Sequence, residues 1–180
     1  MKNHSVTTLF SALSVSILLV ATTCAKAQTS LTAMSNKTSL STMNASDVLI
    51  DQPAQVIKTF LTAVQKGDHP TAKALIDPNI QWNQPGTNRF SGLKKSSDAV
   101  VHMVGGMIQA SSQTLSLADI KQLTVNGNKV ACLVRWKAVM PGGGVLDVHN
   151  IDVYTVEKGK IVEAMIYSED IAQEDEFWGK

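Results

Sequence analysis

The sequence predicts an α+β fold in which helices pack on a sheet that wraps around them and can enclose a pocket. Three observations predict it. From Leu115 to Ser168, four apolar-rich runs follow one another as a meander. Three turn signals separate them: Asn126-Gly127-Asn128, Pro141-Gly142-Gly143-Gly144 and Glu157-Lys158-Gly159. Asn-Gly and Gly-rich breaks between such runs are hairpin signals. Helical patterns precede the meander, so helices and strands are segregated along the chain.

The chain opens with an export signal. Lys2 supplies a short positive region, Leu9 to Ala21 is apolar and uncharged, and Ala25-Lys26-Ala27 offers small residues at a cleavage site. The apolar run is short for a membrane anchor, which needs roughly 20 residues. Residues 1–27 are therefore expected to be removed, giving a secreted or periplasmic protein with no membrane contact after cleavage. Residues 28–50, rich in Ser, Thr and Asn, are expected to form a flexible linker. Residues 51–180 form the domain.

Asp51 is expected to cap the first helix, with Pro53 in its first turn. Val56, Ile57, Phe60, Leu61 and Val64 fall on one helical face, and Gly67 ends the helix. Asp68 caps a short second helix through Thr71–Ile76, and Asp77-Pro78-Asn79 reads as a turn. Ile80–Gln84 is a short strand, stopped by Pro85-Gly86. A loop through Arg89-Phe90-Ser91-Gly92 leads to a third helix, Ser97 to Ala110. Its apolar stripe is expected to be Val100, Val101, Val104, Met107 and Ile108, with His102 on the solvent side. Gly105-Gly106 weakens that helix, which points to a close backbone approach or a bend.

Side chains alternate faces along a strand. In Val145–Val156, Leu146, Val148, Asn150, Asp152, Tyr154 and Val156 share the inner face. His149 lies on the other face, so it meets Asp152 only if a bulge intervenes. In the preceding strand, Val130, Cys132, Val134 and Trp136 point inward and Arg135 and Lys137 outward. In the last strand, Val162, Ala164, Ile166 and Ser168 are expected inside, opposite Ile161, Glu163, Met165 and Tyr167. The apolar outer surplus of Ile151, Val153, Met165 and Tyr167 predicts a homodimer through that face.

Composition excludes several classes. Of 16 Lys and Arg and 15 Asp and Glu, cleavage would remove Lys2 and Lys26, leaving 14 basic residues against 15 acidic. No basic patch with interleaved aromatics is present, so no nucleic-acid partner is expected. Cleavage would also remove Cys24 and leave Cys132 alone, in a strand core where an inert thiol is expected. No His or Cys pair has metal-ligand spacing, and no Gly-rich loop precedes a helix in phosphate-binding fashion. No metal or cofactor is predicted.

Three segments carry a family resemblance: Ile80-Gln81-Trp82-Asn83-Gln84-Pro85-Gly86, Phe90-Ser91-Gly92, and His149-Asn150-Ile151-Asp152-Val153-Tyr154 running on to Gly159-Lys160-Ile161-Val162-Glu163. In this order they resemble the nuclear transport factor 2-like superfamily, and within it the SnoaL-like polyketide cyclase group, over about Gln52 to Asp170. The resemblance implies a cone-shaped α+β barrel, with three N-terminal helices packed on a strongly curved, mostly antiparallel sheet. It also implies a deep apolar pocket and a sheet that often dimerises.

The superfamily holds enzymes and non-enzymes, so the fold leaves function open. The ketosteroid isomerase pattern implies an acid where Gln84 stands, a tyrosine where Phe60 stands, and an inward acid matching Asp152. The epoxide-hydrolase pattern implies an arginine at Asn150, an acid at Asp152 and a second acid at Ile166. The cyclase pattern implies an acid, Asp152 or Asp170, beside a histidine. Asp152 is common to all three. Two functions follow. One is an exported protein that binds a small, largely apolar molecule through Trp82, Gln84, Trp136, Asn150, Tyr154 and Ile166. The other is an isomerase, cyclase or lyase with Asp152 as general base. A purely structural role for Asp152 is the third possibility.

Overall fold

A computed structural model describes residues 45–180, with side chains from Gln52 onward. The expected export signal, and the expected linker as far as residue 44, lie outside the described residues.

Helix α1 runs Ala45–Lys66, so it begins upstream of the expected Asp51 cap and carries Pro53 inside it. Proline has no N–H, so the Leu49 carbonyl lacks its helical donor there. The buried face of α1 is Ile57, Phe60, Leu61 and Ala63. Gly67, at φ +70°, ends the helix. Its N–H reaches the Val64 carbonyl and the Asp68 N–H reaches that of Ala63, which satisfies two terminal carbonyls by the Schellman pattern. Asp68 then caps α2, His69–Leu75, by accepting from the Thr71 N–H at 3.1 Å.

Strand β1 is longer than expected, Ile76–Gln84. The Asp77-Pro78-Asn79 turn is absorbed into it as an irregularity of register between Ile76 and Gln81. Asp77 Oδ1 accepts from the Asn79 N–H at 2.8 Å, a local turn within the stretch between Ile76 and Gln81 that has no register partner in β6. The short strand β2, Gly92–Lys94, lies where a loop was expected and pairs antiparallel with β1.

Helix α3, Ser97–Ala110, is capped by Ser96, which accepts from the Ala99 N–H. Its buried stripe is Val100, Met103 and Met107, and Val101 is exposed. The stripe is thus rotated from the expected one, because Met103 rather than Val101 is next in the i, i+3, i+7 series from Val100. His102 is exposed. Gly106 makes a close approach: a Cβ there would lie 2.8 Å from Phe90 Cε1, whereas Gly105 has open space.

The meander follows as β3 Ser116–Asn126, β4 Lys129–Val139, β5 Val145–Glu157 and β6 Lys160–Ser168. Lys158 and Gly159 both take positive φ between the paired residues Glu157 and Lys160, as a two-residue hairpin of matching twist requires. The sheet order is β2-β1-β6-β5-β4-β3, antiparallel except for β1 against β6. It curls around the helices without closing.

A register shift between Thr155 and Val156 breaks the expected alternation in β6. Ile161 is therefore fully buried where the outer face was expected, and Val162 is only half-buried. A fourth helix, α4, Ile171–Trp178, follows the meander. Asp170 caps it by accepting from the Gln173 N–H at 2.9 Å.

Candidate ligand cavity and its carboxyl pole

The helices and the concave side of the sheet enclose a cavity of about 840 Å³. Trp82 and Gln84 of β1, Trp136 of β4, Asn150, Asp152 and Tyr154 of β5, and Ile166 of β6 all line it. Period-two alternation explains the β5 trio, which is buried while Ile151 on the opposite face is 49% exposed. The helices contribute apolar wall: Phe60 and Leu61 from α1, Val100, Met103 and Met107 from α3.

Asp152 is 2% exposed and sits in register between Cys132 and Ile166. The Tyr154 hydroxyl donates to Asp152 Oδ2 at 3.0 Å, and Oδ1 has no hydrogen-bond partner. Burial disfavours the charged carboxylate and pushes the Asp152 pKa up to about 7; the Tyr154 hydrogen bond opposes this, and the neighbouring Glu174 carboxyl adds to it. Burial and the Asp152 carboxyl push Tyr154 well above its ordinary value, so it serves as a donor and not as a phenolate. Burial holds the Cys132 thiol up at about 12, which leaves it inert. Trp82 and Phe60 pack edge-on against Tyr154, with ring centroids 6.0 and 5.7 Å away. The Trp82 indole N–H donates to Gln84 Oε1 at 3.2 Å.

Glu174 is the residue that sequence reasoning missed. It lies on α4, is 3% exposed and lines the same cavity, as does Trp178 one turn later. Burial raises its pKa, with the nearby Ser168 and Asn150 side chains opposing the rise. The signal was present: Asp170-x-x-Gln173 is a capping-box spacing, and Glu174 and Trp178 are an i, i+4 pair. Asp175, beside it, anchors the helix. It accepts from the Thr87 N–H and hydroxyl and from the Asn88 N–H and side-chain amide, at 2.8 to 3.1 Å. Gly86, at φ +86°, lies against Asp175 Oδ1, and a Cβ there would collide with it.

Two other candidates fall outside the cavity. His149 faces outward between Lys121 Nζ and Glu169 Oε2, each at 2.8 Å, so no bulge brings it to Asp152. Asp170 is exposed and spent as the α4 cap. Among the described residues, no group of three or more His, Cys, Asp or Glu is arranged to hold a metal ion. No described helix is long and apolar enough to cross a membrane.

Comparison with known proteins agrees with this architecture. A structure from Xanthomonas campestris, of unknown function and cystatin-like fold, is 34% identical, with a TM-score of 0.68 over 71% of this chain and 98% of that one. A nuclear transport factor 2-like protein from Burkholderia xenovorans is 18% identical, with a TM-score of 0.60 over 72% and 98%. A protein assigned by name to the SnoaL-like polyketide cyclases, from Jannaschia, is 14% identical, with a TM-score of 0.59 over 73% and 95%. No curated protein matches the chain. Residues 57–164, from α1 through most of β6, match the SnoaL-like domain. The chain therefore belongs to the SnoaL-like domain family.

Proposed function

We propose that this is an exported protein whose cavity binds a small, largely apolar molecule. The observation that carries the reading is the cavity itself. At about 840 Å³ it lies in the range of small-molecule sites, and its wall is mainly apolar, with buried polar groups at Asn150, Asp152 and Glu174 and exposed ones, such as Lys66, His69 and Lys73, from the α1–α2 region. An apolar body would be held by burial, and the polar groups would fix its orientation.

Extraction of the protein purified from its native host, with mass spectrometry of the extract, tests this. Wild type is expected to release a small molecule in near-stoichiometric amount. A Val148→Trp variant fills the cavity from β5 and is expected, when its circular dichroism matches wild type, to release none. Identical extracts from the two proteins would refute the reading.

A second reading is favoured by one feature of Asp152. Its Oδ1 is free, its Oδ2 is held by Tyr154, and its carboxyl titrates near neutrality. A general base works best when its pKa lies near the working pH. In this reading Asp152 takes a proton from an acidic C–H of the bound molecule, as an isomerase, cyclase or lyase would require. Asp152→Asn separates the two readings once a molecule is identified. Turnover would fall roughly 10²–10⁴-fold if Asp152 is a base, while binding through hydrogen bonds alone would change little.

A further inference from the structure

Three buried acceptors gather at one end of the cavity. Asn150 Oδ1, Asp152 Oδ1 and Glu174 Oε1 each lack a hydrogen-bond partner within the protein. Their residues are 4%, 2% and 3% exposed, and all three line the cavity. Unpaired buried acceptors are uncommon in folded proteins and call for a missing donor. Three together, two of them carboxyls, call for a donor with several N–H groups.

Charge narrows the choice. No Lys or Arg among the described residues hydrogen-bonds or pairs with Asp152 or Glu174. The basic residues that border the cavity, Lys66, His69 and Lys73, come from the α1–α2 region and are exposed. Lys73 is already paired with Asp98 at 2.9 Å. Two carboxyls without a protein cation would repel an anionic ligand and favour a cationic one, by charge-assisted hydrogen bonds. Aromatic side chains point the same way. Phe60, Trp82, Tyr154 and Trp178 line the cavity, and aromatic rings attract ammonium groups.

We infer that the ligand is an apolar molecule carrying a protonated amine, seated with its ammonium against Asn150, Asp152 and Glu174. This rests on the reading of the cavity as a small-molecule site and names the class of molecule that fits it. It also gives α4 a role, because Glu174 completes the acceptor set.

Three probes of one shape test it: 4-phenylbutylamine, 4-phenylbutanol and 4-phenylbutanoate, titrated at neutral pH and followed by tryptophan fluorescence. The amine is expected to bind at least tenfold more tightly than the alcohol, and the carboxylate least of all. Glu174→Gln keeps the shape and removes the charge, so it should shrink the preference for amine over alcohol at least several-fold. Equal binding of amine and alcohol to wild type, or tightest binding of the carboxylate, would overturn the inference and leave the pocket reading intact. Failure of all three to bind would count against both.

Discussion

Tyr154 and Asp152 stand two residues apart on the inner face of β5, and the tyrosine hydroxyl donates to Asp152 Oδ2 at 3.0 Å. The bond fixes the carboxyl and leaves its other oxygen without a protein partner. It is a same-strand, same-face contact that only the period of two allows. It holds the carboxyl in a dry site, where burial raises its pKa and the tyrosine bond partly offsets the rise.

That arrangement has a consequence for stability. A carboxyl titrating near 7 when folded and near about 3.9 when unfolded binds its proton more tightly in the native state. Its contribution is present below pH 4 and is lost as the pH rises through 7. The full loss is on the order of 4 kcal/mol. Asp152→Asn carries no such proton. Relative to wild type, the variant should gain stability between pH 4.5 and 8, measured by urea unfolding at both. A constant difference between the two proteins across that range would contradict the burial argument.

Gly86 is expected to resist substitution. Alanine there must adopt φ +86° and displace Asp175, which binds Thr87 and Asn88. Gly86→Ala should cost about 1–3 kcal/mol in urea unfolding. It should also speed hydrogen exchange at the Thr87 and Asn88 amides, since the α4 anchor is lost. Unchanged exchange at those amides would show that α4 is held in another way.

The outer face of β5 and β6 is expected to form a homodimer. Ile151 and Tyr167 are register partners there, 49% and 55% exposed. Half-buried Val153 and Met165 pair beside them. Replacing Ile151 and Tyr167 with Lys would put charges into the interface, which is costly, without touching the cavity. Sedimentation should give a dimer for wild type at micromolar concentration and a monomer for the double variant. A monomeric wild type would rule the dimer out.

Export is expected to end with cleavage after Ala27. N-terminal sequencing of protein from its native host should read Gln28 first. A protein that still begins at Met1 would contradict it.

The cavity wall on the sheet was legible because alternation in β5 needs no tertiary information: Asn150, Asp152 and Tyr154 follow from one parity choice. Ile161 was misplaced because the bulge at Thr155–Val156 shifts register, and bulges leave little trace in composition. Pro53 was read as a helix start, the position where proline costs least, although α1 passes through it. Helix α4 was missed because eight residues form a helix only with tertiary support, here Asp175 on Thr87 and Asn88 and Trp178 against Phe90. With it went Glu174, the second carboxyl of the cavity.

Whether Asp152 is a buried, cavity-lining carboxyl is tested most directly by following its titration with carboxyl-carbon NMR. The expected result is a midpoint near 7, moved downward in Glu174→Gln because a neighbouring negative charge is removed. A midpoint at or below about 3.9 would mean a solvated or ion-paired acid, and the carboxyl pole of the cavity would have to be abandoned.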